Sequence, residues 1–395
     1  MLKQPFLKAI PVLEKIEASG FEAYFVGGSV RNYLMGKKIE DVDIATSAPP
    51  QKIKRIFPKT VDIGIEHGTV LVLYGGESYE VTTFRTDGDY VDHRHPEQVS
   101  FVTSLEEDLK RRDFTMNAIA MDKEGRLIDP FDGQKDIERK LIRSVGDPAA
   151  RFSEDALRML RAVRFVSQLG FTLEDETKKA LATLSPLLEH VAVERKLAEF
   201  GKLLAGTNKA DAIHLIVDQG LHRYVPVFPP YGKELKKIAT LVDQHPLKEN
   251  EMWASIMIEI GQDENMEAFR EWKMSMKQIK DIRQICRAFR LRSQQDWSKM
   301  DLYRFGLGTV LSAESLYGVF LQKDYQGKLR NLEKAYHDLP LKDRKFLAVT
   351  GNDLMEWEKR KNGPWIKEML EKIERAVVEG KVENDKLKIK EWLYH

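Results

Sequence analysis

This chain of 395 residues carries Gly27-Gly28-Ser29-Val30-Arg31 and, shortly after it, Asp41-Val42-Asp43-Ile44. Residues 22–26 are β-rich and lead into the glycine pair, and residues 30–35 have helical spacing. Residues 41–46 alternate in polarity, which predicts another strand. The stretch therefore predicts a strand, a glycine turn, a short helix and a second strand that begins with two aspartates.

The two aspartates are candidate ligands of a divalent cation. On a strand, residues i and i+2 point to the same face, so Asp41 and Asp43 stand side by side while Val42 and Ile44 face the core. Two carboxylates this close repel each other unless a cation lies between them. Mg²⁺ prefers such oxygen ligands and completes its shell with substrate phosphates and water. Taken alone, Asp-x-Asp is more typical of a solvated strand end, so the context has to decide.

The glycine turn supplies that context. Glycines let the backbone approach a phosphate closely, and free N–H groups at the start of a helix attract anions. Arg31 is close enough in sequence to reach the same phosphates. A pair of magnesium ions beside a nucleotide can activate an attacking hydroxyl and stabilise a leaving pyrophosphate. The stretch therefore favours a site for phosphoryl chemistry.

The whole chain predicts an α+β head followed by an elongated all-α body. Strand, helix and hairpin signals fill the first part, with Gly75-Gly76 between two β-rich runs and Ser104 as a helix cap. After about Gly146, almost every apolar pattern has helical spacing, interrupted by Gly and Pro. We expect a catalytic head at 1–145, a helical neck at 146–205, a helical body at 206–295 and a helical tail at 296–395.

Two charged clusters follow the head strands. The run from Arg111 to Ala118 could be a solvated helix end, but Asp113 and Asn117 could also order Arg111 and Arg112 toward a triphosphate, which guanidinium groups bind bidentately. The second cluster predicts a helix from Ser153 to Phe165, with Ser153 as its cap. Its charged face comprises Glu154, Asp155, Arg158 and Arg161, with Arg164 at the edge. In isolation, this pattern is typical of a salt-bridged surface helix.

Taken in order, these motifs resemble those of the class II CCA-adding tRNA nucleotidyltransferases, a branch of the DNA polymerase beta nucleotidyltransferase superfamily. A weaker resemblance continues through Gly351-Asn352-Asp353-Leu354 and Gly363-Pro364-Trp365 to Gly380 and Asn384, so it covers nearly the whole chain. One departure is Asn32, where the family usually carries Asp. Position 32 is therefore left out of the expected metal site. The matching runs are 27–31, 41–43, 111–118 and 154–158.

The resemblance implies template-independent addition of C, C and A to the 3′ end of tRNA, with CTP and ATP as substrates and pyrophosphate as product. Asp41 and Asp43 would hold magnesium. The superfamily places a third carboxylate on a neighbouring strand, and Glu80 is the candidate, although an ordinary edge-strand acid fits its pattern equally well. Gly28, Arg31 and Arg112 would contact the triphosphate. Asp155 and Arg158 would read the base, with Arg161 and Arg164 lining the same site.

This base reading has a physical basis. Cytosine and adenine both show an unprotonated ring nitrogen beside an exocyclic amine. An arginine can donate to the nitrogen while a carboxylate accepts from the amine. Uracil and guanine present the reverse pattern and would leave both side chains unpaired. One Asp–Arg pair can thus admit CTP and ATP, but the switch from C to A needs a change of geometry. Residues 87–98, with Asp92, Arg94 and His95, are the candidate moving loop.

The tRNA must be held by residues outside the head. Basic side chains recur at helical spacing from Lys273 to Arg290, which suits a phosphate backbone, although a solvated helix face is equally typical. The resemblance implies recognition of the top half of tRNA by shape. The candidate RNA-binding residues are Lys273, Lys277, Lys280 and Arg287.

The amino-acid composition restricts the surface charge and the cellular compartment that we expect. Lys plus Arg number 63 and Asp plus Glu 62, so any basic surface must be local. The single cysteine, Cys286, excludes a disulfide framework and favours a reducing cytoplasm. No apolar run is long enough for a membrane span, and a signal-peptide core is not evident. We expect a cytoplasmic monomer or homodimer without a membrane partner.

Three other functions remain open. A bacterial poly(A) polymerase shares the head, but usually has an Arg-rich run where this chain has Glu66-His67-Gly68-Thr69. An enzyme that adds only A is also compatible, whereas the full-length loop at 87–98 disfavours one that adds only C. A catalytically silent RNA-binding protein would not need the intact Asp41 and Asp43 pair.

Overall fold

The structure is a computed structural model in which residues 2–87, 99–243 and 245–394 are described. The chain divides into two compact units, Met1–Gly232 and Lys233–His395. The loop expected to move lies outside the described residues from position 88 to position 98, so its role stays a prediction.

The first unit contains a seven-stranded mixed sheet and two small two-stranded sheets. The strands are β1 Ala23–Val26, β2 Asp43–Thr46, β3 Thr60–Gly64, β4 Thr69–Tyr74, β5 Glu77–Thr83, β6 Arg85–Asp87, β7 Val99–Phe101, β8 Ala120–Met121, β9 Leu127–Ile128, β10 Leu141–Ile142 and β11 Thr172–Leu173. The large sheet has the order β3-β4-β5-β2-β1-β8-β9. Its β2–β5 pair is parallel and the other neighbours are antiparallel. β6 pairs with β7, and β10 with β11.

The glycine turn joins β1 to the helix α2, Gly28–Leu34. Gly27 has a φ of 71°, a conformation that a Cβ disfavours. β2 begins at Asp43, two residues later than the sequence predicted, because its partner β1 ends at Val26, directly opposite Asp43. Asp41 precedes the strand and is exposed, whereas Val42 and Ile44 are buried, as expected.

The two faces of the large sheet are covered differently. One face packs against α1, Phe6–Ala18, and α3, Pro50–Ile56, and buries alternate residues such as Ile44 and Val81. On the other face, Val26 and Ala45 are buried beneath α4, Leu105–Lys110. Asp43 and Glu80 belong to this second face by strand alternation. Asp43 and Glu80 therefore lie on the second face, at the edge of the area that α4 covers.

The helix expected from Ser153 is in fact two helices, and that prediction was wrong. Asp147 caps the first by accepting hydrogen bonds from the N–H groups of Ala149 and Ala150, with Pro148 in its first turn. Asp-Pro is a stronger start signal than the later Ser153, because it combines a capping carboxylate with a preset φ. The remaining helices of this unit are α5 Gly133–Glu138, α6 Pro148–Glu154, α7 Leu157–Leu169, α8 Asp175–Leu184, α9 Val193–Leu204 and α10 Lys209–Asp218.

The described part of the second unit is helical. Its helices are α11 Gly232–Val242, which starts at the last residue of the first unit, α12 Glu249–Glu259, α13 Met266–Glu271, α14 Met276–Gln294, α15 Lys299–Leu321, α16 Gln326–His337, α17 Gly351–Glu358, α18 Trp365–Glu379 and α19 Lys386–Tyr394. The predicted α+β head and helical body are thereby confirmed. The four-part division of the chain stays a prediction. In the described parts of the chain, every helix is too short or too polar to cross a membrane.

The basic run forms most of α14, but Lys273 is not in it. Ser275 caps this helix by accepting from the N–H of Gln278, so the helix starts after Lys273, whose φ is 52°. The expectation that Lys273 shares the helical face was therefore wrong. Lys277 and Lys280 are exposed, as is Arg287 further along α14.

Candidate active site

Two carboxylates, Asp43 and Glu80, lie side by side on the second face of the large sheet, and Asp41 lies just before β2. Asp43 and Glu80 are direct partners in the parallel β2–β5 pair, so the predicted neighbour strand does bring Glu80 beside the aspartates. The pKa of the Asp43 carboxyl is raised, first by burial and then by the charges of Glu80 and Asp41, while Arg112 opposes the shift. Like charges crowded in this way favour a bound cation, which would relieve their repulsion.

These donors fit magnesium better than a metal held by protein alone. Among the described residues, no group of three or more His, Cys, Asp or Glu side chains is arranged to hold an ion by itself. Magnesium is commonly bound by one or two carboxylates together with substrate phosphates and water. Asp41 and Asp43 supply hard oxygen donors beside a cation-rich cavity, so the residues present fit this ion.

The predicted nucleotide-binding residues line one cavity of about 790 Å³. It extends from the glycine turn and the aspartates to α7 and α9. The site residues that the sequence predicted and that line this cavity are Gly28, Arg31, Asp41, Asp43, Arg112, Asp155, Arg158, Arg161 and Arg164. Residues far apart in sequence thus contribute to a single space large enough for a nucleotide, since small-molecule sites typically measure about 300–1,000 Å³.

The glycine turn forms the end of the cavity next to the carboxylates. A Cβ at Gly27 would lie 3.4 Å from both the Arg112 Nη1 and the Asp43 Oδ2, so glycine keeps this approach open. Arg31 donates to the Asn117 Oδ1 at 2.6 Å, and Arg112 donates to the Asp108 Oδ2 at 3.0 Å. Burial lowers the pKa of Arg31 to about 10, with Arg161 and Arg164 nearby adding to the effect. Crowded guanidinium groups of this kind attract an anion such as a triphosphate.

Asp113 organises the middle of the cavity. Both the Nε and the Nη2 of Arg161 donate to its Oδ2, at 2.8 and 2.6 Å, and the Asn117 amide donates to its Oδ1. Burial alone would raise the pKa of the Asp113 carboxyl, but Arg161 and the Asn117 hydrogen bond hold it at about 2. Asp113 therefore stays ionised and orients Arg161, rather than facing a ligand as a free acid.

The break between α6 and α7 places Asp155 and Arg158 at the cavity wall. Asp155 is extended, with φ −137° and ψ 100°, and its Oδ1 accepts from the N–H of Leu157. Arg158 is buried and donates to the Glu154 Oε2 at 2.6 Å and to the Arg111 carbonyl at 3.0 Å. A fixed acceptor and a fixed donor therefore lie close together in the chain, as base reading requires.

Arg164 sits deeper in the same wall. Its guanidinium stacks on the Phe165 ring, 4.3 Å from the centroid, and pairs with Glu199 at 3.2 Å. Burial lowers the pKa of Arg164, and Arg161 lowers it further.

Several cavity residues were missed by sequence reasoning. Arg195 donates from Nη2 to the Asp155 Oδ2 at 2.9 Å and so fixes the second carboxylate oxygen. Lys202, from the same helix α9, and Gln168, from α7, also line the cavity. No local motif marks these residues, because α9 reads as an ordinary amphipathic helix and approaches the site only through tertiary packing.

Three family models match separate parts of the chain. A model for the poly A polymerase head domain matches residues 23–143. A model described as a probable RNA and SrmB-binding site of polymerase A matches residues 170–230, and one for a putative tRNA nucleotidyltransferase domain 2 matches residues 244–393. The matched regions together span both compact units.

Relatives that match along the full length identify the family more specifically than these partial models do. A CCA-adding enzyme of Geobacillus sp. strain WCH70 is 47% identical over 395 residues, covering 100% of this chain and 98% of the relative. A CCA-adding enzyme of Geobacillus thermodenitrificans is 48% identical, covering 99% of this chain and 97% of the relative. The crystal structure of Bacillus stearothermophilus CCA-adding enzyme in complex with CTP superposes with a TM-score of 0.88 at 43% identity, covering 99% and 97% of the two chains.

Proposed function

This chain belongs to the family of CCA-adding enzymes, and from that membership we propose how its own residues add C, C and A to the 3′ end of tRNA from CTP and ATP. One observation supports the assignment above all. A single cavity brings the aspartates, the phosphate-binding arginines and the Asp155–Arg158 pair together.

The carboxylates form the reacting end of the cavity. Asp41 and Asp43 would hold two magnesium ions, which would supply charge to activate the attacking 3′-hydroxyl and to stabilise the leaving pyrophosphate. Glu80 lies beside Asp43 and acts as the base for the hydroxyl proton or helps to hold the cation. Both roles require the acid to be adjacent to Asp43, where the strand register places it.

The arginines bind the triphosphate. Gly28 opens the backbone at the start of α2, where N–H groups face an anion, and Arg31 and Arg112 add charged donors. Asn117 and Asp108 hold these two guanidinium groups in place. The nucleotide is thereby anchored by its phosphates, independently of its base.

The residues that select the base lie at the opposite end of the cavity. Arg158 donates to the unprotonated ring nitrogen of cytosine or adenine, and Asp155 accepts from the exocyclic amine. Arg161 and Arg164 line the space around the base. Rejection of uracil and guanine follows because their reversed pattern leaves both groups unpaired.

Nucleotide incorporation tests the function directly. Pure protein is incubated with magnesium and tRNA lacking its last three nucleotides, with each labelled nucleotide alone and with all together. We expect two C residues and then one A, with pyrophosphate released. Long A tails would instead indicate the poly(A) polymerase whose head model matches residues 23–143. Addition of A only to tRNA already ending in CC would indicate an A-adding enzyme, and no incorporation would contradict the proposal.

The exposed basic side chains of α14, namely Lys277, Lys280 and Arg287, are proposed to contact the tRNA backbone. Lys273 adds a fourth cation just before the helix. Each neutralised phosphate releases counterions, which makes binding both tighter and salt-dependent. The buried single cysteine fits a reducing compartment, and we place this activity in the cytoplasm.

A charge-reversal variant of α14 tests that contact. Replacing Lys277, Lys280 and Arg287 by Glu is expected to raise the KM for tRNA by about tenfold or more and to flatten its dependence on log salt by about two to three units. The KM for CTP should stay the same. The control reverses two exposed cations of α3, Lys52→Glu and Arg55→Glu. Equal KM values for tRNA in both variants would refute the assignment.

A further inference from the structure

Three arginine side chains of the cavity lie over one aromatic ring, that of Phe165 on α7. The guanidinium carbon of Arg164 is 4.3 Å from the ring centroid, that of Arg31 is 5.1 Å away and that of Arg161 is 5.7 Å away. A cation within about 6 Å of a ring centroid is attracted by the negative face of the ring. Phe165 therefore contacts arginines from two separate elements, since Arg31 belongs to α2 and the other two belong to α7.

The ring itself is held in place. Phe165 is 4% exposed and lines the cavity. The buried Phe114 packs against it at 88°, with 5.8 Å between the centroids, which is a favourable edge-to-face arrangement. Arg161 precedes Phe165 by about one helical turn, where side chains share a face, but Arg164 is its immediate neighbour. Adjacent side chains on a helix do not face each other, so the Arg164 guanidinium has to fold back to cover the ring. A fixed ring thus defines where these long, flexible side chains lie.

The three guanidinium groups differ in how far their charge is offset. Arg161 and Arg164 each pair with a carboxylate. Arg31 instead donates to two neutral amide oxygens, the Asn117 Oδ1 at 2.6 Å and the Asn32 Oδ1 at 3.1 Å. Burial lowers the pKa of Arg31, and Arg164 and Arg161 lower it further because the three cations repel one another. The ring face offsets part of this repulsion at the arginine that has only amide partners.

The ring lies between the two ends of the nucleotide site. Arg31 contributes to the end that binds the triphosphate, and Arg161 and Arg164 line the space around the base. Binding is tighter when the groups that contact a ligand are already ordered, because less freedom is then lost on association. One side chain that contacts all three arginines can therefore preorganise both ends of the cavity.

We infer that Phe165 is a positioning residue for the incoming nucleotide, because its ring holds the phosphate-binding Arg31 in register with the two arginines that line the base. This inference rests on the proposed function and adds to it a residue that acts only through the arginines. A role in core packing alone explains less, since an aliphatic side chain would fill the same space without presenting a negative face to three cations.

Phe165→Leu tests the role of the ring. Leucine keeps an apolar side chain beside Phe114 but has no ring face. Loss of the desolvated cation–π contacts should raise the Kd for CTP and for ATP, each measured without RNA, by about 5- to 30-fold. Inorganic tripolyphosphate and cytidine 5′-monophosphate, which probe the two ends of the cavity separately, should each bind about two- to fivefold more weakly. The KM for CTP should rise with its Kd while kcat at saturating CTP stays nearly the same, as expected for a loss of uniform binding.

Two further variants separate positioning from folding. Phe165→Tyr keeps the ring face and should restore the Kd for CTP to that of the unaltered protein. Phe57→Leu removes another buried ring, which makes a similar T-shaped contact with Tyr74 at 78° and 6.1 Å in the core against α1 and α3. Thermal melting should show a loss of stability in both leucine variants, since each shrinks a packed side chain, but Phe57→Leu should leave the Kd for CTP unchanged.

Four results would overturn the inference. The first is an unchanged Kd for CTP in Phe165→Leu, and the second is an equal rise in Phe165→Leu and Phe57→Leu. The third is a fall in kcat with an unchanged KM, because that pattern means only that less of the enzyme is folded. The fourth is weaker binding of tripolyphosphate with unchanged binding of cytidine 5′-monophosphate, because the ring would then support Arg31 alone. Absence of any incorporation by the unaltered protein would instead remove the proposed function, while the Kd values would still test the ring.

Discussion

Replacing both Asp41 and Asp43 by Asn is expected to lower kcat by about 10³-fold or more, since metal-ion catalysis contributes several kcal/mol to such a transition state. An amide occupies nearly the same volume as a carboxylate but carries no charge, so the double variant would lose the proposed magnesium ligands. Single-turnover incorporation of labelled CTP into tRNA lacking its last three nucleotides measures the effect on chemistry.

Nucleotide binding should survive this change. In the proposed mechanism, Arg31, Arg112 and the glycine turn hold the triphosphate, and removing two acids from the same cavity reduces repulsion of an anion. We therefore expect the Kd for CTP, measured without magnesium, to be equal or lower in the double variant. This pattern separates a loss of chemistry from a loss of substrate.

A matched control is available at the adjacent position. Glu40 is an exposed acid that lines the same cavity, and Glu40→Gln should leave kcat essentially unchanged, because this carboxylate is not one of the proposed metal ligands. Retention of normal turnover by the Asp41→Asn, Asp43→Asn double variant would refute the metal site. A large loss in Glu40→Gln would show that net charge, rather than these two carboxylates, limits the reaction.

Local signals were enough to predict the centre of this site. The strand before Gly27, the helix after it and the two aspartates are all contiguous features, and the structure brings them together at β1, α2 and β2. The Gly75-Gly76 turn was predicted for a similar reason, because two positive φ angles in a two-residue hairpin favour glycine. Glu80 could be placed only as one of two alternatives, since its position depends on which strand pairs with β2.

Features set by tertiary contacts were not predictable. β3 has no clean alternation, with three consecutive exposed residues from Val61 to Ile63, and forms because β4 offers it a partner. Arg195 reaches Asp155 across 40 positions of sequence, and nothing near Arg195 indicates that contact. The break at Asp155 was missed because Glu154 and Asp155 resemble the acidic first turn of one continuous helix, whereas Asp147 had already started an earlier one.

Asp155→Ala is expected to weaken the choice of base. The variant loses the proposed acceptor for the exocyclic amine of cytosine and adenine, so kcat/KM for CTP should fall by about 10- to 100-fold, in line with a charged hydrogen bond. The kcat/KM for UTP should fall little, because UTP makes no favourable contact with this carboxylate. The ratio of C to U incorporation should therefore fall by about 10- to 100-fold, measured with each nucleotide alone on the same tRNA. Glu40→Gln, which removes another acid from this cavity, should keep the original ratio.

Arg195→Met tests how the structure sets that choice. Arg195 fixes one oxygen of Asp155 at 2.9 Å while the Leu157 N–H fixes the other, so loss of Arg195 frees the carboxylate to rotate. We expect a smaller fall in the C to U ratio than in Asp155→Ala. The double variant should match Asp155→Ala alone, because Arg195 can act on the base only through the carboxylate it holds. Additive losses in the double variant would mean that Arg195 contacts the nucleotide itself, and an unchanged ratio in Asp155→Ala would remove this residue from base recognition.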